Sequence, residues 1–272
     1  GKMPEGLYED DIDEARLFMQ YLHNNNFTLL GYVCDDVKKT KNAGRKFARV
    51  RNSSLGLFSG RRDILNKDLQ SENGVSALDQ SKHLVVISKL VDRFSTVHRR
   101  VPFDMIAVKR LDNKGNLIGR HVFIGLFTSS TYSCRTSEVP IVRKRVERTL
   151  EKAAFGRDSH DDKALEHILE KYPRDELFQI AVDDLYPIAL GILRLQERQR
   201  TALFTRMDIL GRYMSCIVYT PREIYNSRFR KRAMKILEEG LDGKVTNFHT
   251  TLDDSPLARV LFTVSLDPLN KK

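Results

Sequence analysis

Tryptophan is absent from this chain of 272 residues, and cysteine occurs only three times, as Cys34, Cys134 and Cys216. The cysteines are odd in number, far apart, and free of any C-x-x-C spacing. That pattern argues against a disulfide framework and fits free thiols in a reducing cytoplasm. Cys34 and Cys216 lie in apolar, strand-like runs, where cysteine behaves as a small hydrophobe. No run of 18 apolar residues occurs, so no membrane-spanning helix is expected. Residues 1–6 lack the apolar core of a signal peptide. Gly1 stands where a methionine would start a chain, so an excised segment is expected, with neighbours that hold part of the function.

The motifs of several chemistries are missing too. There is no G-x-G-x-x-G and no G-x-x-x-x-G-K-[ST], so neither common phosphate cradle is present. The seven histidines are scattered without H-E-x-x-H or H-x-H spacing, so no metal site is expected. Ser159-His160-Asp161 is contiguous, whereas triad members come from separate elements, so a helix cap is the expected role. Asp183-Asp184 and Asp253-Asp254 fall at a helix start and a turn, where aspartate is favoured for backbone reasons.

What the chain does have is positive charge: 46 Lys and Arg against 36 Asp and Glu, a formal net charge of +10. Such a balance attracts acidic partners or nucleic acid without locating a site. At about 150 residues per domain the length suggests two domains.

Hydrophobic periodicity gives a helix over 11–24, with Ile12, Ala15, Phe18, Met19 and Leu22 on one face, then a strand over 27–33. Residues 38–46 read as a loop, and 46–50 with 55–59 as a hairpin around 52–54. Ile64, Leu65 and Leu69 hint at a short helix before a loop at 72–74. Residues 83–90, 104–111 and 120–128 are strands, the last two joined by a turn at 112–116 whose Asn and Gly tolerate positive φ. The first region is therefore expected to be an antiparallel sheet of five or six strands with helices on one face, an α+β arrangement.

Pro140 is expected to open a helix carrying Val142, Val146, Leu150 and Ala153, closed by Gly156. Ser159, with Asp162 three residues on, opens the next, which Pro173 stops. Residues 177–180 then read as a short strand, and Asp183 as the cap of a helix bearing Leu185, Ile188, Ala189, Ile192 and Leu195. Strands at 201–207 and 213–220, a helix from Pro221 to Gly240, and strands at 245–252 and 257–266 complete the chain. The order β-α-β-β-α-β matches a ferredoxin-like fold, with one strand to spare.

Three charged clusters merit a functional reading beside the ordinary one. Ser95 to Arg100 follow an apolar strand and could bind an anion, though a solvated loop is the ordinary role. The basic stretches 140–156 and 221–240 could meet nucleic acid, but Tyr225 and Phe229 are spaced for packing rather than base stacking. A solvated face or a protein interface is the expected role for both.

Several segments, in order along the chain, resemble the large bacterial NAD-specific glutamate dehydrogenases. They include 27–32, 95–99, 107–110, 123–129, the run Tyr172-Pro173-Arg174-Asp175-Glu176-Leu177-Phe178-Gln179, 193–198, 215–219 and 255–260. The resemblance implies a place in the non-catalytic N-terminal part of that enzyme. It implies a PAS-like α+β domain at 7–139, a helical connector at 140–174, and an ACT-like ferredoxin-like βαββαβ domain at 175–268. The family's catalytic and dinucleotide-binding regions match nothing here, so no catalytic, cofactor or metal residue is carried over. NAD belongs to the parent enzyme, which would oxidise L-glutamate to 2-oxoglutarate and ammonium. An amino-acid effector, if bound, is expected at Val182, Asp183 and Asp184, with the parent's catalytic domain and homo-oligomer neighbours as partners. A purely structural oligomerisation module, or a nucleic-acid-binding module, is the alternative.

Overall fold

The structure, a computed structural model, describes residues 9–40, 44–60, 65, 67–95, 101–156 and 158–266. The chain divides into two compact units, Gly1–Arg143 and Lys144–Lys272.

The first unit opens with α1 (Glu9–Tyr21), which runs through a π-type turn at Leu22–Asn26 into β1 (Phe27–Lys39). Asn25 takes φ 62° in that turn, a left-handed conformation asparagine tolerates. Then follow β2 (Arg45–Arg49), β3 (Leu55–Gly56), α2 (Lys67–Gln70), α3 (Glu72–Gln80), β4 (Val85–Phe94), β5 (Pro102–Leu111), β6 (Leu117–Phe127) and α4 (Ser129–Ser133). The six strands form one sheet in the order β2-β1-β6-β5-β4, with β3 paired to β1, and every pairing is antiparallel.

The sheet and the β5–β6 hairpin agree with expectation. In the hairpin turn, Gly115 takes φ 85° and the Asp112 carboxylate accepts from Lys114 N and Asn116 N. Two expectations change. The stretches around 46–50 and 55–59 do not pair with each other; each pairs with β1, which is longer than expected and reaches Lys39. Residues 72–74 begin α3 instead of a loop, because Val75 and Leu78 bury against Phe47, Val86 and Ala107 on the sheet. On the same face Asp35 and Arg120 are register partners on β1 and β6. Their side chains, 4% and 3% exposed, form an ion pair at 2.9 Å, and Arg120 lies 3.8 Å from the centre of the Phe47 ring. Glu14 of α1, almost buried, accepts from Ile141 N and Arg143 Nε, each at 2.9 Å, and Ile141 is held at φ 70°.

The second unit holds most of α5 (Val142–Ala153), then α6 (His160–Glu170), α7 (Arg174–Leu177), α8 (Val182–Glu197), β7 (Ala202–Met207), β8 (Tyr213–Pro221), α9 (Ser227–Leu241), β9 (Lys244–Thr251) and β10 (Leu257–Ser265). Ser159 caps α6 as expected, its hydroxyl accepting from Asp162 N at 3.2 Å. Residues 177–180 are not a strand. Pro173 caps a helical turn in which Ile180 N donates to Glu176 O at 2.8 Å. The helix expected from Pro221 begins later, at Ser227, because Asn226 takes the cap and its side chain accepts from Phe229 N at 2.9 Å.

Without the strand at 177–180 the sheet segment reads β-β-α-β-β, not β-α-β-β-α-β. Its order β7-β8-β10-β9, antiparallel throughout, still has α9 linking two strands across a third. That is the ferredoxin-like strand order with the opening strand moved to the end, a circular permutation. Cys216 and Val218 of β8 and Val260, Phe262 and Val264 of β10 bury against α9 through Leu237. Tyr213, Ser215, Ile217 and Tyr219 alternate onto the opposite face of β8 and are also buried, so both faces are covered.

Candidate functional site

The run from Tyr172 to Gln179 builds the junction between the helices and the sheet of the second unit. Its one-turn helix presents Glu176 to Arg206 of β7, with Arg206 Nε and Glu176 Oε2 2.7 Å apart. Both side chains are nearly buried, at 6% and 7% exposure. Gln179 Oε1 accepts from Arg206 Nη2 at 3.4 Å and from the buried Tyr213 hydroxyl. Arg145 of α5 closes the other side, donating from Nη1 to Leu177 O at 2.7 Å. A methyl group at Gly191 of α8 would lie 2.6 Å from Phe204 of β7, so the backbone of α8 lies close against that ring.

Burial pulls the pKa of Arg206 down, but the charge and hydrogen bonds of Glu176 outweigh it and the net shift is upward. Tyr213 is pushed up by burial and then by Asp208, so it stays a neutral donor to Gln179. Burial also pushes the Cys216 thiol up to about 12. These groups are held in single protonation states around neutral pH. A buried pair of this kind specifies one docking geometry more than it adds net stability.

Val182, Asp183 and Asp184 form the first turn of α8. Asp183 is not the cap; Ala181 holds that position without a side-chain bond, because the helix starts two residues earlier than expected. Asp183 is 85% exposed and pairs with Lys152 of α5, while carboxylates in a first turn favour the helix dipole. The structure thus places the three residues together but commits Asp183 to an internal contact.

The two basic helices differ. In α5, Arg143 pairs with Glu14, Arg145 binds Leu177 O, Lys144 pairs with Glu147 and Lys152 with Asp183. In α9, Arg230 lies over Phe248 and Lys235 is 3.6 Å from Glu239. Ser95 is buried and its N–H donates to Val101 O at 2.8 Å; the rest of the 95–100 cluster falls outside the described residues. Among the described residues no group of three or more His, Cys, Asp or Glu is placed to hold a metal ion. No described helix is long and apolar enough to cross a membrane.

Beside the junction lies a cavity of about 410 Å³, bounded by α6, α8, β8, β10 and the turn between β9 and β10. Arg259 and Asp254 stand at its walls, and Ile168, Ile192 and Leu257 supply apolar surface. Sequence reading missed both this cavity and the Arg206 and Tyr213 partners of the junction. Only Glu176 and Gln179, within the conspicuous 172–179 run, carried a signal.

Comparison with known proteins places these elements. The model for glutamate dehydrogenase, helical motif 1, matches residues 139–198, and that for the glutamate dehydrogenase ACT2 domain matches residues 202–272. The chain is 36% identical over 258 residues to an NAD-specific glutamate dehydrogenase of Halomonas elongata, covering 93% of this chain and 16% of the relative. It is 35% identical over 272 residues to one of Pseudomonas aeruginosa, covering 100% of this chain and 17% of that protein. A Mycobacterium tuberculosis relative of the same name is 26% identical over 256 residues. The chain spans about one sixth of the length of the curated relatives it matches. It belongs to the NAD-specific glutamate dehydrogenase family, as a segment carrying helical motif 1 and the ACT2 domain.

Proposed function

We propose that this segment is a non-catalytic regulatory and assembly part of an NAD-dependent glutamate dehydrogenase. Its parent oxidises L-glutamate to 2-oxoglutarate and ammonium with NAD, through residues outside this chain. The buried Glu176–Arg206 junction carries the reading, since it ties helical motif 1 to the ACT2 sheet through a nearly buried ion pair. The strand order β2-β1-β6-β5-β4, with helices between β2 and β4, supports a PAS-like first unit. The ACT-like domain is taken to begin near residue 202, with 140–198 as the helical connector. Homo-oligomer neighbours and the parent's catalytic domain are the partners. An effector contact at Val182, Asp183 and Asp184 is the least supported part, because Lys152 already neutralises Asp183. A nucleic-acid role has little support: Arg230 already covers Phe248, a large aromatic exposed beside α9.

The test uses the full-length parent enzyme carrying Arg206→Ala. Assembly and regulation predict a smaller mass by sedimentation, or a changed response to amino-acid effectors, with KM for glutamate little altered. An unchanged mass and an unchanged effector response would sink the proposal, as would glutamate oxidation by the isolated segment.

A further inference from the structure

Helix α9 carries its charges against its own dipole. The N-terminus of a helix favours carboxylates and its C-terminus favours cations. Helices α6 and α8 follow that rule, with Asp161 and Asp162 or Asp183 and Asp184 in their first turns. In α9 the first turn holds no acidic residue, the cations come first, and Glu238 and Glu239 come near the end. One face of α9, with Phe229, Ala233, Met234, Leu237 and Leu241, packs over the sheet. The opposite face presents two rows at i, i+4 and i+8: Arg228, Arg232 and Ile236, beside Lys231, Lys235 and Glu239. All six are exposed, Ile236 at 58%. Lys235 pairs with Glu239. Among the described residues Arg228, Lys231 and Arg232 have no carboxylate partner, whereas Arg143, Lys144 and Lys152 of α5 each have one.

Three exposed cations thus stand where the helix dipole repels them, and no described residue compensates. Carboxylates from a partner would reverse the sign of that cost. The two rows set the partner's shape. Ridges at i±4n leave a groove that takes a ridge of another helix. From Arg228 to Lys235 the face runs about 10 Å, the reach of carboxylates at i, i+3 or i+4, and i+7 on one helix. Exposed Ile236 adds an apolar contact. A nucleic-acid backbone fits less well: it would meet Glu239, gain nothing from Ile236, and find no aromatic on this face for stacking. The chain spans about one sixth of its relatives, so most of the parent polypeptide lies outside it. We infer that the outer face of α9 docks an acidic helix of the parent polypeptide, its carboxylates on Arg228, Lys231 and Arg232 and an apolar side chain on Ile236. This rests on the assembly reading above and names one of its contacts.

The experiment compares the full-length parent enzyme with the 272-residue chain. Lysines are acetylated with an amine-reactive ester and read by mass spectrometry, and a carbodiimide joins lysines to carboxylates in direct contact. Lys231 should acetylate about tenfold more slowly in the parent, the factor for a contact formed about nine-tenths of the time. It should also crosslink there, and not in the isolated chain, to Asp or Glu of a helical segment outside these residues. Arg228→Ala together with Arg232→Ala should restore fast acetylation of Lys231 in the parent. In the isolated chain the same double variant should leave Tm unchanged or raise it, since two charges adverse to the dipole are gone. Equal acetylation of Lys231 in parent and chain overturns the inference. So does a lower Tm for the double variant, which would mean that the arginines already have partners within the chain. A crosslink to a separate protein overturns it too, as does salt-sensitive binding of a duplex oligonucleotide that the double variant abolishes. A free Lys231 beside a smaller Arg206→Ala parent sinks this contact alone. A crosslinked Lys231 beside an Arg206→Ala parent unchanged in mass and effector response sinks the assembly reading and keeps the contact.

Discussion

Each unit contains a nearly buried Arg–carboxylate pair between separate elements, Asp35–Arg120 in the first and Glu176–Arg206 in the second, and these two pairs do different work. A further buried pair, Arg212–Asp208, is local to the turn between β7 and β8. Asp35 and Arg120 face each other on neighbouring strands whose backbone ladder already aligns them. Their pairing reinforces a register that the ladder and the Phe47 cluster also specify. Glu176 and Arg206 sit on a helical turn and a strand that share no ladder. There the side chains must define the geometry alone, helped by Gln179, Tyr213 and the Arg145 bond to Leu177 O. The same chemistry is thus redundant within a sheet and decisive between a helix and a sheet.

The largest effect should come from removing one partner of either pair, since a buried charge is left uncompensated. Arg206→Ala and Arg120→Ala should each cost about 3–5 kcal/mol in urea unfolding. Hydrogen exchange separates them. Arg206→Ala should expose amides around 174–180 while β7 and β8 keep theirs, whereas Arg120→Ala should lower protection along β1 and β6. Equal loss of protection across the second unit in Arg206→Ala would show that the pair does not act at the junction alone.

Next in size are two glycines where backbone or ring approaches closely. A Cβ at Gly125 of β6 would lie 2.1 Å from Thr28 O, a backbone atom that cannot swing away. A Cβ at Gly191 would meet the edge of the Phe204 ring, which can move. Gly191→Ala should cost about 1–3 kcal/mol and Gly125→Ala more, as read from unfolding midpoints. A smaller loss for Gly125→Ala would mean that the first sheet absorbs strain better than the helix–sheet junction does.

The contrast also accounts for what could be read from the sequence. Elements set by local pattern were legible: the β5–β6 hairpin from Asp112 to Asn116, the Ser159 cap, and the alternation of β8. Elements set by partners were not. Residues 177–180 have a strand-like composition, yet become a helical turn because Glu176 and Leu177 have docking partners on β7 and α5. Strands β2 and β3 and the first part of β1 were visible, but the pairing of both with β1 was not, since register between distant segments leaves no local signal. The Arg259 cavity was hidden for the same reason: its walls come from five elements spread over about ninety residues.

A smaller, opposite effect is expected where glycine has open space. A Cβ at Gly240, in the last turn of α9, would meet nothing within 4 Å. Gly240→Ala should therefore raise stability by about 0.5–1 kcal/mol, through the helical preference of alanine. A loss in the thermal melt would mean that α9 ends earlier in solution.

The smallest perturbation leaves the sequence intact and compares the sheets through their thiols. Cys34 on β1 is 8% exposed and touches Arg110 Nη1 at 3.2 Å, whereas Cys216 on β8 is fully buried under α9. Cys134 is half-buried in the first unit and accessible by comparison. Only the thiolate attacks a disulfide reagent, and with the Cys216 pKa at about 12 roughly one part in ten thousand is ionised at pH 8. Cys134 should therefore react first, Cys34 more slowly, and Cys216 only as the second unit opens. The Cys216 rate should then rise with urea and should rise early in Arg206→Ala, because losing the junction uncovers the opposite face of β8. A Cys216 rate unaffected by Arg206→Ala would mean that the α9 face protects the thiol alone, making the two sides of the second sheet energetically independent.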